Sequence, residues 1–188
     1  MPAQVHQNFQ VVFHGLFIPL QGIEYILKAA KILENQNIDF TIIGSGQESP
    51  KMIDLSRKIG LKNTIFLERV SKEELATKIA SADICLGIFG DTQKTKRVIP
   101  NKVYECLAMQ KPVITGDTPA IRELFDEGDL ILVPVADPQA ISNAIIMLRN
   151  NPDLMSSVAK SGYNKVKNNA VPEILGAQVL KIIYELKK

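Results

Sequence analysis

Short apolar runs alternate with longer amphipathic segments along almost the whole chain. Apolar residues at helical spacing between the runs, such as Ile23, Ile26 and Ala30, predict helices that connect one run to the next. Ser71 and Glu74 are spaced as a capping box, which predicts that one of these helices begins there. The runs themselves predict strands buried on both faces, at residues 11–17, 40–43, 64–67, 84–88, 112–115 and 130–133. This alternation predicts an α/β domain with a doubly wound parallel sheet of about six strands and helices on both faces.

The C-terminal part of the chain differs, because its two amphipathic segments have no apolar run between them. Residues 153–167 and 172–187 predict two successive helices. The second of these helices carries an apolar stripe of Leu175, Val179, Ile182, Ile183 and Leu186. Two interpretations of the stripe are open: it packs on the domain, or it crosses to a partner domain and is exposed in the isolated chain. We interpret residues 1–188 as a single domain that ends in these helices.

Composition and charge narrow the class of protein. The chain has 188 residues, 46% of them hydrophobic and 22% charged, as is typical of a soluble globular domain. Its net charge of +2 gives no argument for nucleic acid as a partner. No apolar run reaches the roughly 18–20 residues of a membrane span, and the N-terminus does not resemble a signal peptide. The two cysteines, Cys85 and Cys106, are expected to be buried and reduced, so we expect a cytoplasmic protein.

Several common motifs for phosphates and metals are missing from the sequence. It lacks the G-x-x-x-x-G-K-[ST] pattern of P-loop proteins, and Gly15 does not begin the G-x-G-x-x-G pattern of dinucleotide-binding proteins. No set of His, Cys and carboxylate residues has metal-ligand spacing. We therefore expect no metal or other cofactor.

Residues 99–114 are the most informative stretch of the sequence. They predict a short helix with Asn101 as its N-cap, followed by a buried strand. The first N–H groups of a helix lack partners within it, so those of Lys102, Val103 and Tyr104 are candidates to bind a phosphate. Glu105 lies one turn after Asn101 on the same face and is a candidate to accept hydrogen bonds from a sugar diol. A phosphate beside a ribose predicts a nucleotide ligand.

Glycines follow several predicted strands, at the edge where ligands bind to open α/β sheets. Gly15 follows the first strand, and Gly44 and Gly46 follow the second. Glycine permits close approach of a ligand to the backbone, but turns between strands and helices also favour it, so both roles stay open. His14, at the end of the first strand, is either a hydrogen-bonded residue at the edge of the core or a catalytic base.

A polar loop, residues 91–97, precedes the predicted phosphate-binding helix. Lys94, Lys96 and Arg97 bring three cations into this loop, which would neutralise a diphosphate. A solvated surface loop explains the same composition equally well.

Five stretches of the chain resemble, in order and spacing, the C-terminal donor-binding domain of family-4 glycosyltransferases, which have the GT-B fold. They are residues 15–23, 42–46, 73–75, 82–84, and 101–109 with 111–114. The last stretch, with Asn-Lys-Val-Tyr-Glu at its start and Lys-Pro-Val-Ile at its end, is the most specific. The resemblance covers essentially the whole chain and implies the Rossmann-like half of a GT-B enzyme.

The resemblance also implies roles for particular residues. Glu105 would bind the ribose hydroxyls of a nucleotide-sugar donor, and backbone amides near Lys102 and Val103 would hold its diphosphate. Residues 68–70, which include Val70, would flank the base. The implied reaction is a retaining sugar transfer that requires no metal. The acceptor would be held by an N-terminal domain or subunit that this chain does not contain, so the isolated domain is expected to be inactive. Peripheral association of the full protein with a membrane would be compatible with this resemblance.

The sequence departs from the family pattern in three places. Leu16 and Gln21 stand where the family usually has an arginine and a lysine that neutralise the leaving diphosphate. Arg97 takes the place of a first motif glutamate, and residues 98–100 replace a glycine-rich turn. Loss of such cations usually costs several kcal/mol of transition-state stabilisation, although Lys94, Lys96, Arg97 or Lys102 would be able to substitute. We therefore predict a divergent glycosyltransferase. The alternatives are a non-catalytic nucleotide-sugar-binding or interaction domain and half of a GT-B-like sugar-nucleotide epimerase.

Overall fold

The computed structural model describes residues 7–186, which form a six-stranded sheet with helices on both faces. The strands are β1 (Phe9–His14), β2 (Ile38–Ile43), β3 (Thr64–Leu67), β4 (Ile84–Leu86), β5 (Val113–Gly116) and β6 (Ile131–Val133). Every strand pair is parallel, and the order across the sheet is β3-β2-β1-β4-β5-β6. This order confirms the predicted doubly wound α/β fold of Rossmann type.

Eight α-helices and two short 3-10 turns connect or follow the described strands. The helices are α1 (Ile23–Ile32), α2 (Ser49–Lys58), α3 (Lys72–Ser81), α4 (Asn101–Ala108), α5 (Pro119–Arg122), α6 (Pro138–Arg149), α7 (Pro152–Asn169) and α8 (Pro172–Leu186). The 3-10 turns are Pro19–Gln21 and Thr95–Arg97. The predicted capping of α3 is present, because the Ser71 side chain accepts a hydrogen bond of 3.1 Å from the backbone N–H of Glu74.

Alternating residues of β1 divide the core between the two faces of the sheet. Val11 and Phe13 belong to a cluster with α1 and α6, whereas Val12 belongs to a cluster on the other face with α3, α4 and α7. All three side chains are at most 3% exposed. Burial of both faces accounts for the continuous apolar runs that identified the central strands.

Besides the end of β4, which lies at Leu86 rather than at residue 88, the observed strands correct two details of the prediction. β1 ends at His14 rather than at residue 17, because Gly15 has a φ of 145° and directs the chain out of the sheet. β3 matches its predicted bounds but is not buried on both faces, because it is an edge strand and Ile65 is 55% exposed. The first of these corrections has a functional consequence, since it places residues 15–17 in a loop at the carboxyl edge of the sheet.

The two C-terminal helices differ in how they pack. Helix α7 buries Val158, Ala159, Gly162 and Val166, whereas no residue of α8 is buried. No residue of the predicted apolar stripe of α8 is therefore buried against the described part of this domain. Between residues 7 and 186, no helix is both long enough and apolar enough to cross a membrane.

Candidate functional site

The strand order reverses between β1 and β4, which lie side by side at the centre of the sheet. In open α/β sheets, ligands bind in the crevice outside the carboxyl ends of the strands at this point. A pocket of 240 Å³ opens there, lined by His14, Gly15, Leu16, Ile43, Gly44, Ser45, Arg69, Val70 and Leu75. The structure thus brings three of the predicted site residues, Gly15, Gly44 and Val70, into one pocket.

The glycines of the pocket also have a packing role. Gly44 has a φ of 129°, and a Cβ there would lie 2.0 Å from the carbonyl oxygen of Gly15. A Cβ on Gly46 would lie 2.6 Å from the carbonyl oxygen of Phe17, and the N–H of Gly46 donates to the Ser49 hydroxyl at 2.8 Å. The loops after β1 and β2 therefore pack backbone against backbone, with no room for a side chain at either glycine.

The start of α4 differs from the prediction. Pro100, not Asn101, is the N-cap, and Asn101 is the first helical residue with no capping hydrogen bond from its side chain. Val103 is not free to bind a phosphate through its N–H group, because that group donates to the Pro100 carbonyl at 3.0 Å. With Pro100 as the cap, Tyr104 is the first residue whose N–H has an acceptor one full turn earlier, so the helical N–H groups left for a ligand are those of Asn101 and Lys102.

Lys102 also contributes a buried side chain, 5% exposed, at the same edge of the sheet. Its Nζ donates a hydrogen bond of 2.5 Å to Oε1 of Gln21 and lies 3.6 Å from the centre of the Phe13 ring. Burial lowers the pKa of Lys102 well below that of an ordinary lysine, and the nearby Cys106 and Glu105 partly oppose this shift. The sequence indicates Gln21 and Lys102 as separate candidates, and the structure brings their side chains into direct contact.

Glu105 is the carboxylate of this site. Its Oε2 lies 3.7 Å from Nε2 of His14, and its side chain is 52% exposed. His14 is buried and also lies 3.7 Å from Sγ of Cys106. Hydrogen bonding to Cys85 and burial raise the pKa of the Cys106 thiol well above its usual value, so it is a neutral group. His14 thus connects the pocket wall to Glu105.

A second depression, of 650 Å³, lies beside the start of α4 and is lined by Asn101, Tyr104, Glu105, Leu124, Asn169, Ala170, Leu175 and Gln178. Tyr104 packs on the Phe125 ring with their centres 5.8 Å apart, and its burial raises the pKa of the phenol. Of the predicted site residues, Asn101 and Tyr104 line this depression and not the first pocket. Glu105 belongs to the second depression and reaches the first through His14.

The polar loop before α4 is exposed. Lys94, Lys96 and Arg97 are all solvent-exposed, and Lys96 pairs with Asp91 at 3.2 Å. Thr95 is buried and anchors the loop, with its hydroxyl 3.4 Å from the Leu20 carbonyl. Among the described residues, no hydrogen bond or ion pair joins Arg97 to either depression. No group of three or more His, Cys, Asp or Glu residues within 7–186 is arranged to hold a metal ion.

A doubly wound parallel sheet with a pocket at its switch point defines this chain as a Rossmann-like α/β domain. A sequence profile of the family described as "Glycosyl transferases group 1" matches residues 8–151. The chain therefore belongs to the group 1 glycosyltransferase family. This finding confirms the family that the sequence motifs indicated.

Individual relatives agree with this assignment. The chain is 23% identical, over 154 residues, to the alpha-D-kanosaminyltransferase of Streptomyces kanamyceticus, and the match covers 80% of this chain and 39% of that protein. Its fold is similar to that of a sucrose-phosphate synthase from Thermosynechococcus elongatus, with a TM-score of 0.82, 21% identity, and coverage of 96% and 46% of the two chains. Anabaena Alr3699/HepE, solved in complex with UDP-glucose, matches with a TM-score of 0.80 and 15% identity over 95% of this chain and 49% of that one. The chain thus spans less than half the length of these relatives.

Proposed function

We propose that this chain is the donor-binding half of a glycosyltransferase, which binds a nucleotide-sugar for transfer to an acceptor. The observation that carries this proposal is the half-exposed carboxylate of Glu105, which lies 3.7 Å from Nε2 of His14, a residue that lines the switch-point pocket. A carboxylate accepts two hydrogen bonds from a vicinal diol, which is the chemistry that a ribose offers. Membership of the group 1 family and the UDP-glucose complex of a structural neighbour support the same ligand class.

The diphosphate would bind at the start of α4. The N–H groups of Asn101 and Lys102 point out of the first turn, where the helix dipole also favours an anion. In this arrangement the base would occupy the pocket between the first loop and residues 68–70, where Val70 and Arg69 form one wall. The ribose would then lie between the base and the diphosphate, within reach of Glu105.

Catalysis would require a second domain. Because the chain spans 39% and 46% of two of its relatives, we propose that an N-terminal domain or subunit binds the acceptor and closes the site. The transfer would retain the configuration of the sugar and proceed without a metal. A two-domain protein that contains this chain should then transfer sugar in the presence of EDTA, and loss of activity in EDTA would contradict the metal-independent mechanism.

The first experiment is a calorimetric titration of the chain with UDP, GDP, ADP, CMP and their common sugar conjugates. We expect saturable binding of one nucleotide, and binding about tenfold or more weaker in Glu105→Gln, because hydrogen bonds to a charged group contribute roughly 1.5–3 kcal/mol. The matched control is Glu123→Gln, since Glu123 is an exposed glutamate outside both depressions. Equal affinity of wild type and Glu105→Gln would show that the ribose site is assigned to the wrong residue.

A non-catalytic nucleotide-sugar-binding domain is the second candidate. The observation that favours it is the first loop, where Leu16 is 51% exposed and Gln21 is uncharged. A two-domain protein that contains this chain separates the candidates. Sugar transfer or slow donor hydrolysis supports the enzyme, whereas binding without turnover across a broad donor panel supports the binding domain. Formation of an epimerised nucleotide-sugar would instead identify an epimerase.

A further inference from the structure

Lys102 has a buried side-chain amine whose protonated form has too few partners among the described residues. An ammonium group has three hydrogen-bond donors, and the described contacts of Nζ are one hydrogen bond, to Gln21, and the face of the Phe13 ring. Among residues 7–186, no carboxylate lies within 4.0 Å of it. A buried charge without a counter-ion is strongly unfavourable, so this arrangement needs an explanation.

The ammonium lies at the candidate site. A Cβ built on Gly15, which lines the switch-point pocket, would come within 2.8 Å of Nζ. Nζ therefore lies next to the backbone of Gly15, and the backbone N–H of Lys102 is free in the first turn of α4. The loop after β1 brings no cation of its own, since residues 15–22 contain neither Lys nor Arg.

We propose that Nζ of Lys102 binds the phosphate oxygens of the ligand as an ammonium, and that it takes up a proton on binding wherever it is unprotonated in the free protein. This inference rests on the proposed function, because the diphosphate of the nucleotide-sugar is the anion concerned. Gln21 holds Nζ in place in the free protein, and the phosphate then supplies the negative charge that the buried ammonium lacks. Lys102 thus acts as the buried cation of a site whose first loop is uncharged.

Burial and bound charge give this site a defined pH dependence. Burial lowers the pKa of Lys102 in the free protein, and a bound phosphate would raise the pKa again by direct charge attraction. Below the free-protein pKa, Lys102 is already protonated and affinity is at its maximum. Above that value each binding event must take up a proton, so affinity falls as the pH rises. The other titratable groups around this site are His14 on β1, Cys85 on β4, and Glu105 and Cys106 on α4.

The test uses calorimetry with UDP, GDP and ADP, each paired with its nucleoside, on wild type and Lys102→Gln. We expect Lys102→Gln to bind the diphosphate about tenfold to a hundredfold more weakly, with nucleoside binding unchanged. The reason is that Nζ, whose charge the variant lacks, is proposed to contact the phosphates and not the nucleoside. The control is Lys58→Gln, which removes the same charge from an exposed position on α2. Wild type that binds none of the three diphosphates overturns the proposed function, whereas equal affinity of wild type and Lys102→Gln overturns this inference alone.

A second measurement does not depend on the folding of a variant. Titrations of wild type between about pH 7 and pH 10, in buffers of different ionisation enthalpy, measure the protons taken up on binding. We expect uptake that grows, and affinity that falls, as the pH rises. Binding without proton uptake at every pH contradicts the proposal, as does the same pH dependence in folded Lys102→Gln, which would assign the proton to His14 or to a cysteine.

Discussion

Helices α7 and α8 follow each other directly in sequence, and both have an apolar face, but only α7 has buried residues. Helix α7 has four buried residues, of which Gly162 and Val166 pack with residues of α4, whereas every residue of α8 from 172 to 186 is exposed. The apolar spacing of a helix therefore predicts which face is apolar, but it does not predict whether this chain supplies the partner for that face.

Helix α7 packs on the domain because its backbone closely approaches neighbouring residues. Gly162 lies against the Asp129 carbonyl and the Leu107 side chain, so the α7 backbone comes very near the end of the sheet layer. Asp129 then accepts a hydrogen bond of 2.7 Å from the Ser161 hydroxyl and lies 3.3 Å from Nζ of Lys165. Helix α8 has no corresponding buried polar contact in the described part of the chain.

The largest expected difference between the two helices is in the free energy of unfolding when one glycine of each is replaced by alanine. Gly162→Ala places a Cβ 2.4 Å from the Asp129 carbonyl oxygen and 2.5 Å from Cδ2 of Leu107, so we expect a loss of about 1–3 kcal/mol in the free energy of unfolding. In Gly176→Ala the added Cβ meets nothing within 4 Å, and alanine favours the helix by up to about 1 kcal/mol. Urea unfolding of both variants measures the difference, and similar effects in the two helices would contradict the observed packing.

The contact of Asp129 with Ser161 and Lys165 of α7 predicts a second loss of stability of similar size. Asp129 is 7% exposed, and its replacement by Asn should lower the free energy of unfolding by about 1–3 kcal/mol because it removes a hydrogen-bonded charge. The control is Asp126→Asn, since the Asp126 side chain is 81% exposed although it also pairs with Lys165, and such pairs contribute about 0–1 kcal/mol.

The contact of Asp129 with α7 also predicts how the free energy of unfolding changes with pH. Burial alone would raise the pKa of Asp129, but hydrogen bonds from Ser161, the Asp126 backbone and Lys165 lower it overall. The stabilisation is therefore present above an unfolded-state pKa of about 3.9 and is lost as the pH falls through the lower folded-state value. Urea unfolding at neutral and acidic pH should show that the free energy of unfolding decreases less on acidification in Asp129→Asn than in wild type.

The strands and most helix starts were predictable because they depend on neighbouring residues. The apolar run at residues 64–67 and the capping pair at Ser71 and Glu74 contain their own signals, and the structure has both. The N-cap of α4 was not predicted correctly, because Asn101 is a good cap by residue type but Pro100 already has the extended backbone that a cap requires.

The candidate site was predictable only in part. Topology brings Gly15, Gly44 and Val70 together, and the parallel-sheet prediction was sufficient for that. The contact between Gln21 and Lys102 joins positions 81 residues apart, and no local pattern indicates that a lysine in the first turn of a helix turns inward. The single sequence likewise does not reveal that the stripe of α8 is exposed in the described part of the chain, because the same periodicity describes a buried face.

The smallest expected effect on stability is that of changing the apolar stripe of α8. Val179 and Ile183 are 55% and 42% exposed, so Val179→Ser with Ile183→Ser should change the free energy of unfolding by no more than about 0.5 kcal/mol. The same change should reduce self-association, because exposed apolar patches favour contact between copies of a chain. Light scattering at high concentration measures this, with Val158→Ser on α7 as the buried counterpart, which should destabilise the fold instead. A loss of stability in the α8 variant comparable to that of Val158→Ser would mean that α8 packs on this domain in solution, and the contrast between the two helices would then be wrong.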